Sequence, residues 1–389
     1  MGMTATDRRR IVIFSNEPWR TDAPTNKHQL AVRFARSVDV LYVNIGGRSV
    51  RSGITPCIDV WRDESGVIVS EMIGVAERAR QHLLGVSTAQ DWLAALSARA
   101  ALGRLGTGQI SSIAYFPMSV RALRSVGTRT LVYHCVDHHA SVPEWSRQQH
   151  ALLRKERALV HAADLVLASS ASLADHCRRW RPDVKLLENV ADVELFARAA
   201  TDAPEPRSAN SEEPRRPLAF FHGTFSVRKI DYALIGKIAD QVPDLNLRLI
   251  GDAVDSEAAR ELAALGARPN VEWLGAMPQP VVVDALRDAS LLLLPYATNF
   301  HTDHVFPLKL VEYLATGKPI LATRLQSIAS LCGDAVAYVD DRTDLNDAVL
   351  TLLDEPHRAQ KRRRALVRGR TWDARALELL ELLDEQALA

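Results

Sequence analysis

The chain has 389 residues, room for two domains of ordinary size. Hydrophobic residues make up 47% and charged residues 24%, and a net charge of +1 offers no global pull toward nucleic acid or an anionic membrane. No segment approaches the ~20 apolar residues of a membrane span, and none near the N-terminus has the length of a secretion signal. Residues 11–15 are a short apolar run between polar residues, the pattern of a buried parallel strand. Residues 28–36 carry Leu30, Ala31, Phe34 and Ala35 on one helical face, and residues 38–44 read as the next strand. A surface helix with Trp92 is expected over 77–103. Strands at 110–116, 130–135, 164–169 and 184–187 follow, most of them separated by helical segments. Residues 200–217 hold four prolines, much charge and almost no large apolar side chain, and read as a linker. Beyond it, strands at 218–222, 245–250, 271–274, 291–295, 319–323 and 335–338 alternate with helices at 230–241, 255–266, 278–288 and 308–316. Two final helices are expected at 357–369 and 373–387. Such alternation predicts an α/β chain of two doubly wound parallel-sheet domains facing a cleft, with ligands at the carboxyl ends of the strands.

Four cysteines, Cys57, Cys135, Cys177 and Cys332, lie far apart without metal-ligand spacing and read as reduced thiols of a cytoplasmic protein. Basic residues cluster at Arg8-Arg9-Arg10 and Lys361-Arg362-Arg363-Arg364. These read as solvated patches; peripheral contact with the inner face of an anionic membrane is the sharper alternative.

The segment from Phe306 to Ile320 is a compact crossover between strands. Pro307 suits a helix start, because its fixed φ is helical and its missing N–H is not needed there. Leu308, Val311 and Ala315 share an apolar face, and Thr316-Gly317 ends the helix. The helix start offers unpaired N–H groups to an anion. Lys309 and Glu312 share one face, where a carboxylate can accept both hydroxyls of a ribose. Taken alone, the pair is equally an i,i+3 ion pair on a surface helix.

In this stretch the chain resembles the GT-B glycosyltransferases, in particular the large retaining nucleotide-sugar group and its "PLK-x-x-EYLA-x-GKP" branch. Further landmarks carry the resemblance: His222-Gly223-Thr224 with Arg228-Lys229, Leu249-Ile250-Gly251-Asp252, Asn270 to Gly275, Asp288 to Pro295, Glu188 to Phe196, and Trp372-Asp373. The resemblance implies two Rossmann-like domains, with residues 1–199 on the acceptor side, a linker at 200–217, a donor-binding domain at 218–370, and a last helix at 371–389 packing back on the first domain. It implies a hexosyltransferase that moves a sugar from a nucleoside-diphosphate-sugar co-substrate, UDP-sugar favoured, to a saccharide, lipid-linked or small-molecule acceptor, with no other cofactor and no metal. Donor-site residues are then Gly223, Arg228, Lys229, Gly275, Leu308, Lys309 and Glu312. Two departures stand out. His304 occupies the position of the first glutamate of the family's Glu-x7-Glu, and is expected to face the donor sugar. Thr224 stands where an arginine is usual, so the phosphate charge falls to Lys229, Arg228 or Lys309.

In the first half, Tyr133-His134-Cys135-Val136-Asp137-His138-His139 follows a strand. Asp137 is the leading candidate for a catalytic base and His138 the second; the resembling branch carries "Y-x-C-x-D" here. The histidines also raise a metal site, although their spacing matches no standard pattern. Residues 11–18 contain no glycine, which excludes a dinucleotide fingerprint, and no Gly-x4-Gly-Lys-Ser/Thr is present. The remaining alternatives are a nucleotide-sugar epimerase of the same fold and a non-catalytic partner subunit.

Overall fold

The computed structural model describes residues 9–20, 24–48, 57–73, 88–105, 108–141, 143–200 and 216–388. The chain divides into two compact units, Met1–Glu188 with Trp372–Ala389, and Asn189–Thr371. The strands of the first unit are β1 (Arg9–Ser15), β2 (Asp39–Arg48), β3 (Cys57–Arg62), β4 (Ile68–Ile73), β5 (Gln109–Ala114), β6 (Thr128–Cys135), β7 (Leu165–Ala168) and β8 (Lys185–Leu186). They form one sheet in the order β3-β4-β2-β1-β5-β6-β7-β8. Every pair is parallel except the β3–β4 hairpin. The second unit contains β9 (Leu218–His222), β10 (Asn246–Ile250), β11 (Val271–Trp273), β12 (Leu291–Leu294), β13 (Ile320–Thr323) and β14 (Ala337–Val339). Its order is β11-β10-β9-β12-β13-β14, all parallel. Chain order reverses between β9 and β12, so the carboxyl ends of these two strands flank the switch point where open α/β sheets bind ligands.

The central strands are apolar throughout because helices cover both faces of the sheet. Leu291, Leu292, Leu293 and Leu294 are all buried, two on each side. Helix Leu308–Thr316 packs Leu310, Val311, Leu314 and Ala315 onto one face. Pro307 caps its start at φ −67°, and Gly317 ends it at φ +76°. A Cβ on Gly317 would meet Arg364 Nε at 2.7 Å and the Gln360 carbonyl oxygen at 3.2 Å, so glycine is required there for space as well as for φ.

Two features of the architecture differ from the sequence reading. The second unit begins at Asn189, not beyond 199. Phe196, on helix Val193–Ala197, is fully buried with Leu310 and Leu314, and the Asn189 side chain donates to the Phe306 carbonyl oxygen at 2.9 Å. Most of the expected linker, 201–215, lies outside the described residues, as do 74–87 of the Trp92 segment, whose helix runs Thr88–Leu102. The β3–β4 hairpin was not anticipated. β3 is largely exposed and carries no apolar run; its turn is fixed by Asp63, which accepts from the backbone and hydroxyl of Ser65, and by Gly66 at φ +88°.

The basic runs are partly built in: Arg363 and Arg10 are buried, while Lys361 and Arg362 are exposed and Arg8 lies outside the described residues. Arg363 is 1% exposed and donates to the carbonyl oxygens of Ala335 (2.8 Å) and Gly317 (3.0 Å) while pairing with Glu355. Arg362 pairs with Asp334, Arg10 is buried, and Arg9 pairs with Asp384. That last contact belongs to helix Trp372–Leu388, which packs on helix Asn26–Phe34 within the first unit, with Asp373 beside Arg33 and Arg36. Among the described residues no helix is long and apolar enough to cross a membrane.

Candidate active site

The carboxyl edge of the second sheet is built on three glycines. Gly223, Gly251 and Gly275 follow β9, β10 and β11 at φ +147°, +142° and +70°. The Gly223 N–H donates to the Ile250 carbonyl oxygen at 2.8 Å, and the Gly251 N–H to that of Gly275 at 2.7 Å. A Cβ on Gly251 would lie 1.7 Å from the Gly223 carbonyl oxygen. A Cβ on Gly223 would lie 2.0 Å from Lys309 Cε and 2.6 Å from its Nζ. The bare backbone at Gly223 is therefore what lets the Lys309 side chain lie across the strand end.

Helix Leu308–Thr316 brings Glu312 to the same edge. Its Oε2 lies 3.3 Å from His222 Nε2, close enough for an ion pair but without hydrogen-bond alignment, and both side chains are mostly buried. The His222 N–H donates to the Tyr313 hydroxyl at 3.1 Å. Burial raises the Glu312 carboxyl, but His222 and the Lys309 ammonium outweigh this and hold it below the usual range. Burial also lowers the Lys309 ammonium; Glu312 opposes that shift and Lys229 adds to it. Burial likewise lowers the His222 imidazole despite Glu312.

Arg228 and Lys229 sit on the loop after β9. That loop is tied to the one after β12: the Asn299 side chain donates to the Arg228 carbonyl oxygen at 2.8 Å, the Ala297 N–H to that of Lys229 at 3.0 Å, and Ile230 bridges Tyr296. Asn299 also caps helix Phe300–Asp303. His304 closes that helix, donating from Nδ1 to the Phe300 carbonyl oxygen at 2.7 Å, with its ring 4.3 Å from that of Phe300. Since a carbonyl only accepts, Nδ1 carries a proton.

The structure thus brings Gly223, Lys309 and Glu312 together, sets Lys229 within electrostatic reach, and joins Gly275 through Gly251. Leu308 opens the helix beside Lys309. His304 contacts Phe300. Sequence reasoning did not find the partnership of His222 with Glu312, the hydroxyl of Tyr313, or the loop tie at Asn299.

In the first unit, Asp137 is half-buried just after β6, with the Cys135 thiol 3.8 Å from its carbonyl oxygen. His138 packs edge-on against the His176 ring at 4.5 Å. The three neighbouring histidines part company: His134 faces Tyr115, His138 faces His176, and His139 contacts the Tyr115 carbonyl oxygen at 3.1 Å. Beneath them Glu156 is buried, accepting from the Tyr133 hydroxyl at 2.7 Å and meeting His176 Nε2 at 3.0 Å. Cys135 and Cys177, distant in sequence, lie within 4.8 Å of each other and of this carboxylate. Their hydrogen bond and burial push the Cys135 thiol up, so it is a protonated core group.

His134 is 3% exposed, and neither ring nitrogen has a hydrogen-bond partner. Burial, then the charges of Arg375 and Lys27, lower it to about 3. His28 is lowered to about 4, mainly by burial, and accepts the Thr25 N–H at Nδ1 while Nε2 donates to the Pro18 carbonyl oxygen. Both rings are neutral in the fold, whereas an unfolded histidine takes a proton near 6.5. Below that pH the unfolded chain binds more protons, so stability is full above about 6.5 and falls toward 4, by up to about 1.4 kcal/mol per pH unit for each ring. His134→Phe is expected to flatten this acid limb and to raise stability at neutral pH by roughly 1–2 kcal/mol, since it removes unpartnered buried polar atoms. Urea midpoints at pH 7 and 5 read both effects; equal pH dependence in the variant and the parent excludes this account of His134.

Comparison with known proteins bears on the geometry above. Residues 216–355 match the family described as "Glycosyl transferases group 1". The second unit carries a glycosyltransferase domain. A glycosyltransferase assigned to teichuronic acid biosynthesis, TuaH of Bacillus subtilis (strain 168), is 31% identical over 182 residues, 45% of this chain and 44% of that protein. The chain thus spans less than half the length of this curated relative. Solved structures agree over nearly the whole chain. Sucrose-phosphate synthase from Thermosynechococcus elongatus has a TM-score of 0.68 at 17% identity, covering 97% of this chain and 99% of that one. A UDP-forming trehalose-phosphate synthase from Burkholderia xenovorans has 0.68 at 16%, covering 98% and 100%. Anabaena HepE, solved with UDP and glucose, has 0.63 at 16%, covering 96% and 99%. At these identities the likeness establishes the architecture, which is GT-B.

Proposed function

We propose that this chain transfers a sugar from a nucleoside-diphosphate-sugar, with uridine as the favoured base, to an acceptor hydroxyl. The observation that carries this reading is the meeting of Gly223, Lys309 and Glu312 at the switch point of a glycosyltransferase group 1 domain. Glu312, kept ionised, takes the ribose hydroxyls. Lys309, Lys229, Arg228 and the N–H groups of Leu308 and Lys309 meet the diphosphate, whose charge grows as the sugar departs. Gly275 leaves the strand edge bare where the nucleotide lies. His304 faces the donor sugar, with Nδ1 committed to the Phe300 carbonyl oxygen. If the sugar inverts, Asp137 or His138 removes the acceptor proton; if it is retained, the departing phosphate takes it. The UDP-forming synthase and the UDP complex among the similar structures support uridine, and the synthases of sugar phosphates support a saccharide acceptor.

The purified chain is expected to melt higher with UDP than with GDP or ADP, since a ligand at 100 times its Kd adds about 2.7 kcal/mol. It is also expected to release UDP from a UDP-hexose in the presence of saccharide acceptors. A chain stabilised by no nucleoside diphosphate at millimolar concentration is not a transferase of this kind.

A further inference from the structure

His222 is the last residue of β9, and its ring is fixed on several sides. It lies parallel to Phe196 at 6.0 Å, 5.5 Å from Tyr313 and 6.1 Å from Phe220. Its backbone N–H is held by the Tyr313 hydroxyl, and its Nε2 faces Glu312 Oε2. One strand end therefore grips two consecutive residues of helix Leu308–Thr316. One turn before Glu312 in the same helix stands Lys309, at the spacing of an intrahelical ion pair and within its electrostatic reach. A mostly buried carboxylate within reach of both an imidazole and an ammonium has two places to go. If it turned fully to Lys309, each charge would quench the other, and neither would serve a ligand.

We propose that His222 is the positioning residue of the nucleotide site: it holds Oε2 of Glu312 toward the strand, so that Oε1 meets the ribose and the Lys309 ammonium stays available to the diphosphate. This rests on the reading of Glu312 as the ribose ligand. His222 acts through Glu312 and does not itself touch the nucleotide. Its substitution must therefore impair recognition of the ribose more than recognition of a bare diphosphate, and a donor of similar reach must rescue it.

The test compares His222→Phe, which keeps the aromatic packing and loses the donor, with His222→Gln, which keeps a donor. Titration calorimetry follows UDP and, separately, inorganic pyrophosphate. His222→Phe is expected to weaken UDP about ten- to a hundredfold, the span of one charged ribose–carboxylate hydrogen bond lost when Glu312 is no longer held in place, while pyrophosphate binding changes by less than about threefold. His222→Gln is expected to recover most of the UDP affinity. If Glu312→Gln loses UDP affinity but His222→Phe does not, His222 is inert and the proposal fails while the ribose reading stands. If neither variant changes UDP affinity, the ribose reading itself fails. Equal losses for UDP and pyrophosphate in His222→Phe also overturn the proposal, since they report a general collapse of the edge. Where His222→Phe does not fold, His222→Leu against His222→Gln carries the same comparison.

Discussion

Glu312→Ala is expected to bind UDP at least about tenfold more weakly than the parent, and a hundredfold or more if both ribose hydroxyls are engaged. Each hydrogen bond to a charged acceptor contributes roughly 1.5–3 kcal/mol, and every 1.4 kcal/mol is a factor of ten in affinity. The expectation depends on the carboxyl being ionised when the nucleotide arrives. Burial alone works against that, and His222 with Lys309 reverses it. Folding stability is expected to fall as well, because the substitution leaves the buried Lys309 ammonium without the carboxylate that compensates it. Calorimetric titration with UDP, alongside a urea melt without ligand, separates the two quantities. UDP affinity equal to that of the parent in a folded Glu312→Ala protein removes Glu312 from the site.

Gly251→Ala is expected to destabilise the second unit by roughly 2–4 kcal/mol, a large fraction of the stability of an ordinary domain. The new Cβ meets the Gly223 carbonyl oxygen at 1.7 Å, and that atom is backbone. It cannot swing aside as a side chain does, because the Gly223 N–H is hydrogen-bonded to Ile250 and the Ile250–His222 register locks β10 to β9. The φ of +142° adds strain for any L side chain. Gly275→Ala is the control. Its φ is also positive, at +70°, but nothing lies within 4 Å of the added Cβ, so only the conformational cost of about 1–2 kcal/mol remains. Denaturant melts of the two variants test this directly. Equal losses in both would show that backbone strain, not the close approach of the two strand ends, makes glycine necessary at Gly251.

Much of the architecture was legible because its causes are local. A strand buried on both faces is an uninterrupted apolar run, as Leu291 to Leu294 are, and a crossover helix announces its ends through a proline before its start and a glycine past its last turn. Where burial is one-sided, that signal fades: β3 carries exposed and half-buried residues, and its pairing with β4 rests on a turn and a partner strand. Charge was misread for a related reason. Lys361-Arg362-Arg363-Arg364 is indistinguishable in sequence from a solvated patch, yet Arg363 is among the most deeply buried side chains. What decides its state is Glu355 and two carbonyl oxygens that only the folded helix presents to it.

The site divides along the same line. Lys309 and Glu312 were readable as a pair on one face because helical spacing is set within a single turn. The reach from 189 to 199 into the second unit was not, since Phe196 finds its core only once helix Leu308–Thr316 is in place. Nor was the place of His222, which stands beside a glycine turn in sequence and beside Glu312 only in space. By itself the sequence determined the two α/β units, the strand runs and the placing of Lys309 and Glu312 on one helical face, since hydrophobic period and capping act over a few residues. The tertiary structure alone decided which charges are compensated: the dielectric and the partners around a buried group are supplied by segments remote in the chain, and these fix whether Glu312 is a held carboxylate or one half of a surface ion pair.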